Sequence, residues 1–498
     1  MELAPAAEAT VEPTPSATLP GNKRELAVNF FFLSGGELTA KLLTFASFSY
    51  LAHTLGPRNY GFIEFVLAVM VFFSLPADLG LGSYGAREIA RDPASAPRLL
   101  RVVTGLRMSL ALCSMLALGV FILLLDKSVE LKWLLTLYGL SLLGGPFLLQ
   151  WFFQAHDRMH WVGIASIVRQ AGFSILVFLV FRKGSSLIYI GIIECVSVAV
   201  VAIYCVYVVR RMGFGWPWPD LRFKSLGSHL AEAAPIGLTE VAWAFMWYFC
   251  TVLLGLIFSD RTLGWFGASH RLLMALHTFV WLYFFNLLPS ISRCALRPQR
   301  HLLDLMDGSI RFIAWAGLFG AALLTVLAPD ILGLVYGRNF RGASGSFSIL
   351  VWMLPIAMLS GHHRYVLIAY NRQKTLLYCS IASAVAAVLL GLALVPLYGG
   401  IGAAWALLIA NFANFVLVYG AVQRLIVEIP VIHPIAVPAA ALAASVVCYM
   451  ALTQFNARLA LAAAISIYLL ILASSDGRRL ATFVRMIGKP ALSAASGT

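Results

Sequence analysis

Charge is scarce in this chain. Of its 498 residues only 12% are Asp, Glu, Lys or Arg, about half the share of a soluble globular domain. No GxxxxGK[ST] phosphate loop, HExxH or GxSxG occurs, and no polar stretch between apolar runs could form a nucleotide-binding domain. Both absences argue against ATP hydrolysis within the chain. The seven cysteines (113, 195, 205, 250, 294, 379 and 448) lie mostly inside apolar runs. With no CxxC and no Cys/His cluster of metal-ligand spacing, they read as small buried hydrophobes. No catalytic centre, metal site, cofactor or enzymatic activity is expected. The first 22 residues lack the basic start and apolar core of a cleavable signal, so residues 1–25 read as a disordered cytoplasmic tail.

What the chain has instead is apolar length. It is 60% hydrophobic, with a mean hydropathy of +0.86, and apolar runs of about 20 residues recur throughout, each able to cross a ~30 Å hydrocarbon layer as a helix. The fold class is an all-α polytopic membrane protein of about 14 transmembrane helices. Twelve are expected between residues 27 and 423, and the last two at 431–452 and 458–474. The net charge of +14 requires no nucleic acid, because basic residues collect in cytoplasmic loops. With both termini inside, the inner loops hold 22 Lys and Arg and the outer loops nine. That bias requires an even number of passages.

The polar segment 210–230, "RRMGFGWPWPDLRFKSLGSHL", mixes basic residues with Trp216, Trp218 and Phe223, as a segment at an anionic membrane surface would. It divides the chain into a six-helix lobe at 26–209 and a second at 231–424, with two added helices over 425–475 and a basic cytoplasmic tail at 476–498. An offset of 203 residues superposes Glu37 on Glu240, Arg58 on Arg261 and Gly61 on Gly264, a hint of a parallel repeat.

Ionisable residues inside the spans are the candidates for function, since each costs ~2.5–3.5 kcal/mol to insert and faces a bundle interior or wet cavity. In "GGELTAKLL" (35–43), Glu37 and Lys41 stand four apart on one helical face, the favourable order for an ion pair. They either neutralise one another for packing or line a hydrated central cavity. Glu240, the counterpart of Glu37 without a lysine four residues on, is a candidate for ion coupling, because an unpaired carboxylate in low dielectric readily takes up a proton. In "SHRLLMALH" (269–277), His270, Met274 and His277 share a face beside Arg271, whose guanidinium lies some 12 Å deep and suits a diphosphate. The alternative is a pair with an acid on another helix. His362, His363 and Arg364 form a further cluster that reaches a cavity or snorkels toward Arg372 and Lys374. Glu64 and Glu194 have no partner visible in sequence.

Several stretches resemble the polysaccharide-biosynthesis (O-antigen type) flippases of the multidrug/oligosaccharidyl-lipid/polysaccharide exporter superfamily. They are "YLAHTLGPRNYGFIEF" (50–65), "DLGLGSYGAREIAR" (78–91), "VYGRNF" (335–340) and "LVPLYGGIGAAWALLIANF" (394–412). His53 departs from the Arg of the "LAR.LG" pattern. The resemblance implies two six-helix lobes around a central cavity that opens alternately to each side. It also implies passage of an undecaprenyl-diphosphate-linked oligosaccharide, with lipids as neighbours, from the inner to the outer leaflet of the bacterial cytoplasmic membrane. Cationic cavity residues that hold the headgroup are typical, which favours Lys41, Arg271 and Arg364 for substrate binding. Glu37 and Glu240 are then the candidates for ion coupling, and His270, His277, His362 and His363 for cavity positions. Two rivals stand beside this reading: a cation-coupled multidrug antiporter, and a non-transporting scaffold that recruits a polysaccharide polymerase or glycosyltransferases.

Overall fold

The computed structural model describes residues 23–220, 226–258 and 261–481. Most of the 1–25 tail lies outside them, and residues 23–25 form the first turn of a helix. Among the described residues there are helices and no strand, as expected where lipid offers no partner for backbone polar groups and each helix must satisfy its own.

The first half contains α1 (Lys23–Asp78), α2 (Leu81–Arg91), α3 (Ala96–Leu124), α4 (Val129–Ser141), α5 (Gln150–Ala155), α6 (Met159–Val180) and α7 (Ile188–Arg211). The second contains α8 (Leu226–Ile257), α9 (Arg261–Ala295), α10 (Gln299–Tyr336), α11 (Ser344–Leu350), α12 (Met353–Ala369) and α13 (Gln373–Leu425). A final hairpin is formed by α14 (Ile432–Thr453) and α15 (Ala457–Ser475).

Twelve helical segments among the described residues are long and apolar enough to cross a membrane. Two of them contain two of the expected passages each. The turn between the first two passages is a break at one residue, Gly56 (φ 72°, ψ 174°), inside α1. That backbone conformation is open to glycine and closed to other residues, and Pro57, which lacks an N–H, restarts the helix. Gly399 (φ 55°, ψ −130°) breaks α13 in the same way. After Asp78, Leu79 and Gly80 turn the chain with positive φ into α2, whose Tyr84 and Ile89 are buried while Arg91 is exposed.

The interlobe segment expected at 210–230 is shorter in the structure, because α7 ends at Arg211 and α8 starts at Leu226. Arg210 lies over the Trp216 ring at 4.5 Å, and Trp216 stacks on Trp218 at 6.0 Å, both indoles exposed. The largest apolar cluster joins the two halves, with Phe48, Tyr60 and Phe65 packing in one body with Phe266, Tyr336 and Phe340.

The terminal hairpin is fastened to α10 by a buried charge. Arg311 reaches both carboxylate oxygens of Asp476, at 3.1 and 3.2 Å, and both side chains are 4% exposed. Trp315 Nε1 donates to the same carboxylate at 3.0 Å, and the Tyr468 hydroxyl donates to the Trp315 carbonyl at 2.9 Å. Removing one member of a buried pair costs ~3–5 kcal/mol, whereas replacing both by apolar groups is close to neutral. Asp476→Ala is therefore expected to lower the thermal unfolding midpoint in detergent clearly. The double change Arg311→Met/Asp476→Leu should return it close to wild type; equal midpoints for wild type and Asp476→Ala would remove the fastening role.

Candidate functional site

Three helices turn polar stripes toward one another. On α1, Glu37, Lys41, Thr44 and Phe48 follow at intervals of four, three and four, the spacing of one helical face. On α9 the facing stripe is Arg271, Met274 and Thr278, followed by Trp281. On α8 it is Glu240, Trp243 and Thr251. The side chains border two cavities.

The larger cavity, about 670 Å³, is lined by Glu37 and Lys41 of α1, Gln150 and Gln154 of α5, Glu240 and Trp243 of α8, His277 and Trp281 of α9, and Arg364 of α12. Five of the candidates read from sequence thus come together: Glu37, Lys41, Glu240, His277 and Arg364. Glu37 does not take its hydrogen bond from Lys41. It accepts from the Ser166 hydroxyl of α6 at 2.8 Å, and Ser166 accepts from Gln150 at 3.2 Å. Lys41, Glu240 and Arg364 are exposed. His277 packs its ring against Trp247, centroids 5.0 Å apart.

The smaller cavity, about 300 Å³, is bordered by Phe48, Glu64, Arg169, Glu194, His270 and Arg271 among others. Here the alternative for Arg271 is realised. Its Nε lies 2.6 Å from Glu64 Oε1, and its guanidinium carbon sits 3.5 Å from the centre of the Phe48 ring. The two side chains are 19% and 7% exposed, so the attraction is little screened, and the ring face adds a cation–π contribution. Glu64 fits because position 267 is glycine: a Cβ there would come within 2.4 Å of the Glu64 Cγ. Arg169 and Glu194 form a second pair at 3.0 Å. His270 is 4% exposed and stacks on Phe266 at 6.0 Å.

His362 and His363 line neither of these cavities, contrary to expectation. Both are fully buried. His362 Nε2 is 2.6 Å from the Ser309 hydroxyl, which also meets the Tyr283 hydroxyl. His363 packs between Phe415 and Tyr419. The reason is geometric: consecutive residues on a helix are about 100° apart, and Arg364 occupies the cavity face. The partners that sequence does not supply for Glu64 and Glu194 are Arg271 and Arg169. Their signal was only that each is a charge inside an apolar run.

The two halves touch at both ends of this region. At one end Tyr60 packs edge-on to Phe340 at 5.6 Å and beside Tyr336 at 6.1 Å, and the Ser49 hydroxyl donates to the Val335 carbonyl. Gly264 of α9 lies so close to α1 that a Cβ would stand 1.8 Å from the Pro57 carbonyl oxygen. At the other end the Tyr84 hydroxyl is 2.7 Å from His229 Nδ1, and Arg87 pairs with Glu232 at 3.3 Å. A side chain at position 264 cannot coexist with the first closure. Gly264→Val is therefore expected to speed amide hydrogen exchange in peptides covering 49–62 and 333–345 relative to wild type. Unchanged exchange there would mean that this approach does not hold the end shut.

Two proteins named "Putative O-antigen transporter" are similar in sequence. The one from Escherichia coli (strain K12) is 22% identical over 393 residues, covering 78% of this chain and 94% of the relative. The one from Shigella dysenteriae is 24% identical over 380 residues, covering 76% and 94%. Among solved structures, the lipid II flippase MurJ in an inward closed conformation superposes with a TM-score of 0.72 at 16% identity, over 90% of this chain and 99% of that one. An inward-facing multidrug resistance MATE family transporter of the MOP superfamily gives 0.62 at 13% identity, over 77% and 94%. The sequence profile described as "Polysaccharide biosynthesis protein" matches residues 26–295, more than half of the chain, and this multi-pass membrane protein therefore belongs to the polysaccharide biosynthesis protein family.

Proposed function

We propose that this protein is a flippase that moves an undecaprenyl-diphosphate-linked oligosaccharide from the inner to the outer leaflet of the bacterial cytoplasmic membrane. The observation that carries this reading is the pair of cavities between the two halves, one holding the cations Lys41 and Arg364 and the other Arg271. The names of the relatives support it. In this account the chain makes fourteen passages, with α1 and α13 each crossing twice, and both termini are cytoplasmic. The halves at 26–209 and 231–424 act as two lobes, and the last two helices flank the second.

Lys41 and Arg364 meet the diphosphate first, as cations without an ion-pair partner among the described residues. Arg271 receives it deeper, where a planar guanidinium matches phosphate oxygens bidentately. The sugar crosses in the wet space between the lobes while the lipid tail stays in the bilayer. Trp243 and Trp281 offer apolar faces to sugar rings, and Gln150, Gln154 and Asn414 offer hydrogen bonds. With no nucleotide motif in the sequence, direction comes from an ion gradient or from consumption of the product outside. Glu240, with Glu37, is the proposed coupling group. A multidrug antiporter is less well served by these residues, because Lys41 and Arg364 offset the two carboxylates of the larger cavity and would repel a cationic drug.

The test is leaflet exchange in proteoliposomes carrying a fluorescent polyprenyl-diphosphate oligosaccharide, read with an impermeant quencher. The protein should speed exchange over empty liposomes; equality at every imposed pH gradient would overturn the reading. Loss of charge-assisted contacts worth ~1.5–3 kcal/mol in Lys41→Ala/Arg364→Ala should slow exchange about ten- to hundredfold. Glu240→Gln should keep protein levels and basal exchange but flatten the pH dependence, and an unaltered pH profile would take Glu240 out of the coupling step.

A further inference from the structure

Met274 is common to the linings of the two interlobe cavities, and no other residue is. On each stripe the lining changes from one cavity to the other at the same level. On α1 the change falls between Lys41 and Thr44. On α8 it falls between Met246 and Tyr248. On α9 His277 and Thr278 lie on one side of Met274 and His270 and Arg271 on the other. Met274 lies three positions after Arg271 and four before Thr278, about 4.5 and 6 Å along the helix axis. Met274 is therefore the side chain at which the cavity bearing Lys41 and Arg364 meets the cavity bearing Arg271.

The residue type suits a movable barrier. Methionine is unbranched, with three rotatable bonds and a polarizable thioether, so it fills irregular space and changes shape without backbone movement. Met274 is only half-buried and rests against the main apolar cluster, which gives its side chain free space on both sides. The cavities are also unequal, about 670 Å³ against about 300 Å³. A sugar head that fills the larger one reaches the smaller, and the adjoining cavity of about 330 Å³ that shares Tyr138, Arg169 and Glu194 with it, only past Met274.

We propose that the Met274 side chain is the partition of the transport path and a specificity-determining residue, whose displacement sets how bulky an oligosaccharide head can pass toward Arg271. This rests on the flippase reading above. In the closed arrangement Met274 keeps water and ions in the larger cavity away from the Glu64–Arg271 pair. During passage it swings aside, and the cost of doing so grows with the bulk of the head that must follow the diphosphate. Small heads cross with the partition only partly displaced, whereas long heads need both cavities as one.

Two measurements separate failure of this inference from failure of the flippase reading. The first is the ratio of exchange rates for polyprenyl diphosphates bearing a long and a short oligosaccharide. M274A should raise that ratio and M274W lower it, each by about tenfold, the scale on which pocket bulk discriminates substrates, while M274L stays near wild type. An unchanged ratio across all three, with thermal midpoints close to wild type, would overturn the proposal while leaving the flippase reading intact. The second needs no transport. A cysteine at Thr44, in the smaller cavity, is labelled with a charged methanethiosulfonate reagent over the background of the native thiols. Labelling should be faster in M274A than with Met274 present, and equal rates would overturn the partition even if no exchange were seen in any form of the protein.

Discussion

A guanidinium buried between two sets of membrane helices must have a counter-charge, and the structure is arranged around supplying one. Arg271 comes from the second half of the chain and Glu64 from the first, and their 2.6 Å contact joins the halves inside the helix bundle. Neither charge is tolerable there alone. The pair therefore constrains what surrounds it. Gly267 leaves room for the carboxylate, and Phe48 covers the guanidinium face. Beyond it Pro57 and Gly264 are in near-backbone contact, and Tyr60, Tyr336 and Phe340 close that end.

The same constraint supplies a mechanism. A guanidinium neutralised by one carboxylate is poised to exchange it for a better anion. In the proposed mechanism a diphosphate, with more negative charge and more acceptor oxygens than Glu64, arrives from a cavity in which Lys41 and Arg364 have no ion-pair partner among the described residues. Were Arg271 to turn to the diphosphate, Glu64 would lose its counter-charge and the end held by the pair would be free to separate. In that mechanism substrate binding and closure share one cation, which would tie the position of the head to the state of the closed end.

Much of the fold was legible in the sequence, because membrane helices follow from apolar run length alone. The breaks at Gly56 and Gly399 were not read at their true size. A run of turn-forming residues suggests a loop, but one glycine with positive φ suffices to redirect a helix. The local part of the site was legible too. Glu37 and Lys41 share a face on one helix, so spacing predicts a common cavity. The pairing of Arg271 with Glu64 was out of reach, since 207 residues separate them and no helical period links them. His362 and His363 were drawn toward the cavity by their neighbour Arg364. The periodicity that puts Arg364 on the wet face turns both histidines into the packed interior.

The central step of the proposed mechanism is transfer of Arg271 from Glu64 to the diphosphate head, which releases the closed end. The direct measurement is the distance between nitroxide labels at positions 53 and 338, on either side of that end, by pulsed electron paramagnetic resonance. It is made with and without a saturating polyprenyl-diphosphate oligosaccharide, with binding confirmed in the same sample. The account predicts that bound ligand shifts the distribution to longer distances, and that ligand leaves it unmoved in Arg271→Ala. A wild-type distribution that stays unchanged with ligand bound would contradict it.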